Sequence, residues 1–261
     1  MAGKASILVE RRDTIAVVTI NRPHRRNALD MEAWGALRDA FRGLAEERAT
    51  RAIVLTGAGG AFCAGDDIQA FASVRDKPAE RARYWDTIME AYAAVMGTVV
   101  PVVAAVSGPC VGGGCTLALR ADFRFGDATA RFGAPPAKLG LVYPADSTQL
   151  LVSIAGGVMA KHLLYSGDII DARQALACGL VSRLVDGDVV EAAVDYVRPM
   201  ADNAPVSIEA AKIACDAAMA GRGRDVAAQV QALSQKADAS QDYAEGARAF
   251  AEKRKPRFKG R

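Results

Sequence analysis

A run of three glycines between two apolar segments is the part of the sequence best suited to chemistry. The run, residues 112–114, follows the β-branched segment 99–106 and precedes the apolar segment 115–119. The first segment predicts a buried strand and the second the start of a helix. Because glycine allows positive φ and a helix N-terminus presents unpaired N–H groups, the turn is expected to bind an anion or a developing oxyanion. A tight turn packed under a neighbouring segment is the alternative.

The counts of cysteine and histidine argue against several other kinds of site. The five cysteines are Cys63, Cys110, Cys115, Cys178 and Cys215. Their number is odd and none forms a Cys-x-x-Cys pair, so neither a disulfide framework nor a zinc site is expected. The two histidines, His24 and His162, are too few to favour a histidine-based metal site or triad. A reducing, cytoplasmic compartment is the simplest expectation.

The composition is that of a globular protein with a sizeable core. Of the 261 residues, 51% are hydrophobic and 24% charged, which fits one large domain or a domain with an appended segment. A formal net charge of +3 does not by itself call for a nucleic acid. No apolar run reaches the ~18 residues of a membrane span, and the first residues lack the apolar core of a signal peptide. We therefore expect neither a nucleic acid nor a membrane as partner.

Strands and helices are predicted to alternate along the first two-thirds of the chain, and helices to fill the last third. The expected strands are residues 7–10, 15–20, 52–56, 99–106, 121–125 and 181–185. The expected helices begin after Asp30 and at Ile68, 84, 172, Pro205, 225 and 242. Asp30 and Asp67 are predicted to cap helices, and residues 131–144 are too rich in glycine and proline to be regular. The pattern predicts an α/β core over residues 1–200 and a helical region over residues 201–261.

Six segments, in this order, resemble the crotonase superfamily, that is, the enoyl-CoA hydratase/isomerase family. They are residues 21–29 (NRPHRRNAL), 61–68 (AFCAGDDI), 111–115 (VGGGC), 139–141 (LGL), 175–181 (ALACGLV) and 252–256 (EKRKP). The resemblance implies a crotonase spiral of ββα units followed by a helical C-terminal trimerisation region, and a homotrimer or homohexamer. It also implies an acyl-CoA substrate, with coenzyme A as part of that substrate and no tightly bound cofactor.

The resemblance also gives the glycine turn a partner. In the family two backbone N–H groups bind the thioester oxygen, and by motif position they are those of Asp66 and Gly113. Chemistry beside a thioester builds negative charge on that oxygen, and losing one such donor costs ~2.7–4 kcal/mol in other enzymes. Because the donor at position 66 is backbone, its side chain is free to vary. We expect the Asp66 carboxylate to point away from the developing charge, toward solvent.

The resemblance implies a groove for coenzyme A that is built from several segments. Residues matching the family's CoA-binding positions are Arg25, Ala28, Ala64, Asp66, Ile68, Phe250 and Lys253. Ala64, Asp66 and Ile68 would hold the adenine and pantetheine, while Phe250 and Lys253 would close over the CoA, commonly from a neighbouring subunit. The basic run 253–261 is either a solvated, frayed end or a contact for phosphate.

The chain departs from the family's hydratases at both catalytic glutamates. Hydration needs one group to activate water and another to handle the α-carbon proton. By motif position, Thr116 replaces the first glutamate and Pro136 the second. A threonine hydroxyl can orient water but is a poor base, and proline can do neither. We therefore expect chemistry other than efficient hydration.

Asp146 is the carboxylate that the sequence offers instead. It lies in the loop after residues 139–141, where some family isomerases, dehalogenases and naphthoyl-CoA synthases carry an acid, although the local alignment is loose. It could act as a single base or as a nucleophile, or it could cap a helix beginning at Ser147. Tyr143, in the same loop, is expected to be a packed aromatic residue.

The sequence thus predicts an acyl-CoA enzyme that acts through the amides of Asp66 and Gly113. Double-bond isomerisation with Asp146 as base is the first choice, ahead of decarboxylation, dehalogenation and thioester hydrolysis. A weak enoyl-CoA hydratase remains an alternative. Another is an acyl-CoA binder that has lost its chemistry, which the missing glutamates favour.

Overall fold

The computed structural model describes residues 5–260, which contain nine β-strands and ten α-helices. The strands are β1 (Ile7–Arg12), β2 (Ile15–Ile20), β3 (Ala52–Gly57), β4 (Val102–Val106), β5 (Pro109–Val111), β6 (Phe123–Gly126), β7 (Arg131–Gly133), β8 (Ile169–Asp171) and β9 (Arg183–Leu184). The helices are α1 (Met31–Glu46), α2 (Ile68–Ser73), α3 (Pro78–Met96), α4 (Gly113–Leu119), α5 (Ala145–Ser166), α6 (Ala172–Ala177), α7 (Val189–Ala201), α8 (Pro205–Met219), α9 (Ala227–Asp238) and α10 (Gln241–Ala251).

A six-stranded sheet in the order β1-β2-β3-β4-β6-β9 divides the core into two layers. β1 pairs antiparallel with β2, and the other neighbours pair parallel. Alternate residues of β2 face opposite sides, as the period of a strand requires. Ala16, Val18 and Ile20 join the cluster formed with α1 and α3, whereas Ile15 and Val17 join the cluster formed with α7. Burial on both faces explains the continuous apolar runs of these strands.

A second, three-stranded sheet in the order β5-β7-β8 carries the chain from the core to the glycine turn. β4 passes into β5 through Gly108, which has φ +57°. A Cβ at this position would collide with the Gly60 carbonyl oxygen, so the crossing requires glycine. β5 then leads directly into α4. The turn is therefore fixed by strands on one side and a buried helix on the other.

The predicted helix caps Asp30 and Asp67 are confirmed. The Asp30 carboxylate accepts a hydrogen bond from the Ala33 amide at the start of α1. The Asp67 carboxylate accepts from the amides of Gln69 and Ala70 at the start of α2. Such caps satisfy N–H groups that a helix leaves unpaired. Together they fix the ends of the segments that flank Asp66.

Several predicted boundaries differ from the structure. α4 begins at Gly113 rather than at Cys115, because Gly112 (φ +57°, ψ −124°) already ends the extended chain. The segment 131–144, expected to be irregular, contains β7 and a 3-10 helix at Pro136–Leu139. The amphipathic helix α7 was not predicted. Its buried residues recur at helical spacing in the sequence: Val189, Ala193, Val194, Val197 and Ala201.

The C-terminal helices α8, α9 and α10 extend from the core and are largely exposed. α8 begins at Pro205, as predicted, with proline in its first turn. The Lys212 ammonium lies 2.9 Å from the Asp122 carboxylate and ties α8 to the core. The predicted division at residues 200 and 201 falls in the last turn of α7. Within residues 5–260, no helix is both long and apolar enough to cross a membrane.

Candidate active site

Two loops run side by side next to the start of α4: residues 61–66 and the glycine turn, residues 112–114. The Cys63 amide donates a hydrogen bond of 3.0 Å to the Pro109 carbonyl. In return the Val111 amide donates one of 3.0 Å to the Cys63 carbonyl. This reciprocal pair holds the first loop against β5. The two segments that the sequence singled out are therefore brought together.

Glycine is required at two positions where these loops touch. Gly65 has φ +97°, and a Cβ there would lie 2.8 Å from the Val111 carbonyl oxygen and 3.0 Å from the Gly113 nitrogen. A Cβ on Gly114 would collide with the Cys63 carbonyl oxygen. Any side chain at these positions would push the loops apart. The sequence pattern of glycines is thus explained by the close approach of two backbones.

Within residues 5–260, the backbone amides of Asp66 and Gly113 donate no hydrogen bond to another residue, although the Asp66 N–H interacts with its own carboxylate. On either side of Asp66 the backbone is paired: the Leu29 amide donates to the Gly65 carbonyl, and the Asp67 amide donates to the Leu29 carbonyl, each at 2.8 Å. Unpaired buried N–H groups are rare, which makes these two donors candidates for binding a ligand.

The Asp66 side chain points into the site, so the expectation that it faces solvent is wrong. The Trp34 indole Nε1 donates a 3.1 Å hydrogen bond to Asp66 Oδ1. A Cβ placed on Gly113 would lie 2.8 Å from Asp66 Oδ2 and 3.2 Å from the Tyr92 hydroxyl. The physical reason is the fully buried Trp34, whose N–H needs an acceptor and finds it in the carboxylate.

Burial of this carboxyl group changes its acidity. Loss of water around the charged form raises the pKa of Asp66 from 3.8 to about 6. The hydrogen bond from Trp34 and the nearby backbone N–H of Asp66 itself act in the opposite direction and only partly offset the effect. Asp66 therefore changes charge close to neutral pH, next to the free Gly113 amide.

Thr116, at the position of the first hydratase glutamate, belongs to a network of hydroxyl groups. Its Oγ1 lies 2.7 Å from the Tyr143 hydroxyl, with which it shares a hydrogen bond, and it donates to the Gly112 carbonyl at 3.2 Å. The Tyr92 hydroxyl donates to the Gly113 carbonyl at 3.1 Å. Burial raises the pKa of both tyrosines, so both stay neutral. The network offers neutral hydroxyls and no carboxylate.

Asp146 is held by Arg120 at the start of α5. The Arg120 Nη2 donates 2.7 Å hydrogen bonds to Asp146 Oδ2 and to the Ser147 hydroxyl. The Ser147 amide donates to Asp146 Oδ1 at 2.7 Å, but α5 begins at Ala145 after Pro144, so Asp146 lies within the helix and the predicted cap of a helix starting at Ser147 is wrong. Partial burial acts to raise the pKa of Asp146, but the Arg120 guanidinium and Ser147 outweigh it and hold it below its ordinary value. Arg120 also lies over the Tyr92 ring, 5.2 Å from its centroid.

Pro136, at the position of the second hydratase glutamate, opens the short 3-10 helix Pro136–Leu139. Its carbonyl accepts a hydrogen bond from the Leu141 amide at 3.0 Å. The apolar side chains that follow, Leu139, Leu141 and Val142, are all exposed. No titratable group occupies position 136, and an apolar surface lies beside it.

The residues expected to line the CoA groove fall into two sets. The first set is Arg25, Ala28, Ala64, Asp66 and Ile68. Within it, the Ala28 amide donates to the Arg25 carbonyl, and the side chain of Ile68 is exposed. In the part of the chain that the structure describes, the carbonyls of Ala64 and Asp66 accept no hydrogen bond. The second set is Phe250, whose side chain is 88% exposed at the end of α10, and Lys253 just beyond it.

Three residues at the site were not predicted to act there. Trp34 and Tyr92 are buried on α1 and α3, and their rings pack together at 5.3 Å in an edge-to-face arrangement. Their polar atoms nevertheless reach the two loops. Arg120 follows α4 and was not singled out. The available signal was chemical: a buried indole N–H, phenol or guanidinium must find a polar partner.

A cavity that is lined in part by α8 is separate from these loops. It has a volume of about 360 Å³ and is lined by apolar side chains together with six polar ones, Arg120, Asp122, Arg124, Asn203, Lys212 and Asp216. Of the predicted site residues, none lines it. Among residues 5–260, no group of three or more His, Cys, Asp or Glu side chains is placed to hold a metal ion.

Comparison with known proteins identifies the family. The family described as "Enoyl-CoA hydratase/isomerase" matches residues 10–261. The chain is 34% identical to a crotonyl-CoA hydratase of Syntrophomonas wolfei over 262 residues, covering 97% of each chain. It is 33% identical to a 2,3-dehydroadipyl-CoA hydratase of Escherichia coli over 258 residues, covering 98% of this chain and all of that one.

A solved structure supports the same assignment. An enoyl-CoA hydratase/carnithine racemase from Magnetospirillum magneticum superposes with a TM-score of 0.90 at 33% identity, covering 99% of this chain and 97% of the other. The predicted α/β crotonase fold is therefore confirmed. The chain belongs to the enoyl-CoA hydratase/isomerase family.

Proposed function

We propose that this acyl-CoA enzyme moves a proton within its thioester substrate by one-base chemistry, with double-bond isomerisation as the favoured reaction. The observation that carries the proposal is the absence of carboxylates at both hydratase positions, which Thr116 and Pro136 occupy. Hydration needs a proton carrier at each end of the double bond, whereas isomerisation needs one base that works at two carbons. A single carboxylate is enough for the second reaction.

The free amides of Asp66 and Gly113 are the proposed oxyanion hole. A thioester oxygen bound between them would accept two backbone hydrogen bonds, and removal of a proton from the α-carbon would place negative charge on that oxygen. Donors that are already fixed need no reorganisation when the charge appears. The paired loops at Gly65 and Gly114 supply this fixed geometry.

Asp146 is the base predicted from its loop position, and its contacts define what that role requires. It would have to release Arg120 Nη2 and the Ser147 amide, both of which it binds at 2.7 Å. These partners favour the ionised form and make Asp146 a weaker base than an ordinary carboxylate. In a one-base reaction Asp146 would therefore act only after a rearrangement of this ion pair.

Enoyl-CoA hydration is the second candidate function, because the relatives from S. wolfei and E. coli are named as hydratases. The Thr116 and Tyr143 hydroxyls, which bond each other at 2.7 Å, could together orient a water molecule beside them. A neutral hydroxyl is a poor base, so we expect slow hydration at most. A third candidate is a binder that holds acyl-CoA without turning it over.

The experiment that separates these functions compares two substrates on the purified protein. We expect conversion of a 3-enoyl-CoA to its 2-enoyl isomer to exceed hydration of crotonyl-CoA by at least ~100-fold, the usual contribution of one acid–base group. Hydration at the rates of ordinary hydratases would contradict the proposal. Binding of both substrates with turnover of neither would identify the non-catalytic alternative.

We propose that the groove formed by Arg25, Ala28, Ala64, Asp66 and Ile68 holds coenzyme A, and that the protein assembles as a homotrimer or homohexamer in the cytoplasm. The exposed Phe250 and Lys253 would then close the groove of a neighbouring copy. The five cysteines are free, which fits a reducing compartment. Sedimentation velocity tests the assembly, and a monomer with full activity would contradict it.

A further inference from the structure

We propose that the carboxyl group of Asp66 is the acid–base catalyst of this site, in addition to the oxygen-binding role of the Asp66 amide. The carboxylate would take a proton from the carbon next to the thioester carbonyl and return it farther along the acyl chain. This inference rests on the proposed proton transfer and assigns the proton to Asp66 rather than to Asp146.

The first support is the placement of the two carboxyl oxygens. Oδ1 is held by the Trp34 indole at 3.1 Å, which fixes the plane of the group. Oδ2 lies on the side of Gly113, 2.8 Å from where a Cβ of that residue would stand. Within residues 5–260, no side chain donates a hydrogen bond to Oδ2. One oxygen is thus anchored and the other is available to a ligand.

The second support is that Oδ2 lies close to Gly113, whose backbone amide is one half of the proposed oxygen site. The α-carbon of a thioester is only two bonds from its carbonyl oxygen. If the Gly113 amide binds that oxygen, the α-carbon lies within the same small volume that Oδ2 faces. A general base must reach the proton that it removes, and the closeness of Oδ2 to the Gly113 backbone is the observation that supports such reach.

The third support is charge balance. When the α C–H bond breaks, its electron pair moves toward the thioester oxygen and the proton forms an O–H bond with Oδ2. One negative charge thus passes from Asp66 to the thioester oxygen, and the site never holds two adjacent anions. In the return step the O–H bond breaks, a C–H bond forms at the far carbon of the enolate, and Asp66 regains its charge. The step needs no redox partner.

The groups around Asp66 leave it as the one that titrates near neutral pH. Tyr92 on α3, Tyr84 on the same helix and Cys63 in the adjacent loop all sense the charge of Asp66. Burial raises the pKa of each of these groups, so they remain neutral. Arg22, Asp30 and Asp67, from the segments before α1 and α2, are the charged neighbours of Tyr84.

The other acids close to the loops already have partners. Asp67 caps α2 and lies 3.4 Å from the Arg22 guanidinium. Asp146 is paired with Arg120. Asp66 accepts only the neutral Trp34 N–H from a side chain, and no cation stabilises its charge. Of these three acids, Asp66 is the one without a cationic partner, and it lies beside the Gly113 amide.

The test measures α-proton exchange of butyryl-CoA in D₂O by ¹H NMR, because a saturated acyl chain reports proton removal alone. We expect wild-type exchange to rise with pH through about 6, the pKa of Asp66, and then to level off as the carboxylate forms. Asp66→Asn keeps an oxygen acceptor for Trp34 but cannot carry the proton. We expect it to slow exchange by at least ~100-fold and to remove the pH dependence around that value.

Matched variants and a binding measurement keep the result interpretable. Asp76→Asn makes the same chemical change at an exposed surface position and should exchange like the wild type. Calorimetry with butyryl-CoA should show that Asp66→Asn binds within about threefold of the wild type, because the backbone donors remain. A thermal melt confirms that the variant is folded. The pH profile of the wild type tests the inference independently of any substitution.

The outcomes separate this inference from the function on which it rests. Exchange that persists in Asp66→Asn but is lost in Asp146→Asn would overturn the role of Asp66 and leave the proposed function standing. A wild-type profile with no change near the pKa of Asp66 would do the same. If the wild type binds butyryl-CoA, exchanges no α-proton and does not isomerise a 3-enoyl-CoA, both the proposed function and this inference are wrong.

Discussion

The Trp34 indole N–H donates a 3.1 Å hydrogen bond to the Asp66 carboxylate, joining the buried face of α1 to the loop of the candidate active site. Trp34 is completely buried and packs edge-to-face on Tyr92, whose hydroxyl reaches the Gly113 carbonyl. A single core residue thus contacts both loops of the site, directly or through one neighbour. The acidity of Asp66 is consequently set by the core.

Removing this hydrogen bond should raise the pKa of Asp66 further. Trp34→Phe keeps an aromatic ring but loses a donor that favours the ionised carboxylate. Hydrogen bonds to charged groups are worth about 1.5–3 kcal/mol, and one pKa unit corresponds to 1.36 kcal/mol. We therefore expect the acid limb of the α-exchange profile to move upward by about one unit or more. Phe41→Leu, elsewhere in the same core, is the control, and an equal shift there would mean that Trp34 acts through packing only.

The stability of the protein should depend on the charge of Asp66. Its pKa is raised in the folded state to about 6 from 3.8, so the folded chain binds the proton more tightly than the unfolded chain. The associated stability is present below the unfolded pKa and is lost as pH rises through the folded pKa. Asp66→Asn carries no titratable group at this position, so it does not lose this stability as the pH rises.

Urea unfolding at two pH values measures the effect. Relative to the wild type, Asp66→Asn should gain on the order of 2–3 kcal/mol between about pH 4 and about pH 8, which corresponds to a shift of about two pKa units. A difference between the two proteins that stays constant over this range would show that Asp66 is not destabilised by burial.

The approach of the two loops should be sensitive to a single methyl group. Gly65→Ala places a Cβ 3.0 Å from the Gly113 nitrogen at φ +97°, so the loops must separate and the two free amides must move. We expect α-exchange to fall by at least ~100-fold, comparable to the loss of an oxyanion donor. Gly43→Ala, where a Cβ meets nothing within 4 Å on α1, should keep full activity and gain about 0.5–1 kcal/mol of stability. Equal activity of the two variants would contradict the proposed site.

Restoring carboxylates at the family positions should favour hydration. Thr116→Glu combined with Pro136→Glu supplies the two acid–base groups that hydratases of the family carry, each worth about 10²–10⁴-fold in rate. We expect crotonyl-CoA hydration to rise by at least ~100-fold over the wild type, as measured by loss of the enoyl absorbance. Thr116→Gln with Pro136→Gln has similar size and no charge, and a similar gain there would exclude an acid–base explanation.

Much of the fold follows from local sequence, because its signals act over a few residues. The caps Asp30 and Asp67, the start of α8 at Pro205 and the buried strand β4 were all predicted and are all present. Helix α7 was missed although its apolar residues already recur at helical spacing in the sequence. The glycine turn and the loop at residues 61–66 were both identified.

The directions of side chains at the site could not be read from the sequence. Asp66 turns inward because Trp34, on another element, needs an acceptor. Asp146 is occupied because Arg120 emerges beside it at the end of α4. Thr116, on α4, shares a hydrogen bond with Tyr143, which lies in the irregular segment before α5. Each of these contacts depends on tertiary packing between distant segments. A family motif predicts where the backbone of a residue lies, but not the direction of its side chain.

The most direct test of the account is a crystal structure with butyryl-CoA bound. The account predicts that the thioester oxygen lies about 2.7–3.1 Å from both the Asp66 and the Gly113 backbone nitrogens, the distances expected of an oxyanion hole. A thioester oxygen bound elsewhere, or two nitrogens directed away from each other in the complex, would contradict it.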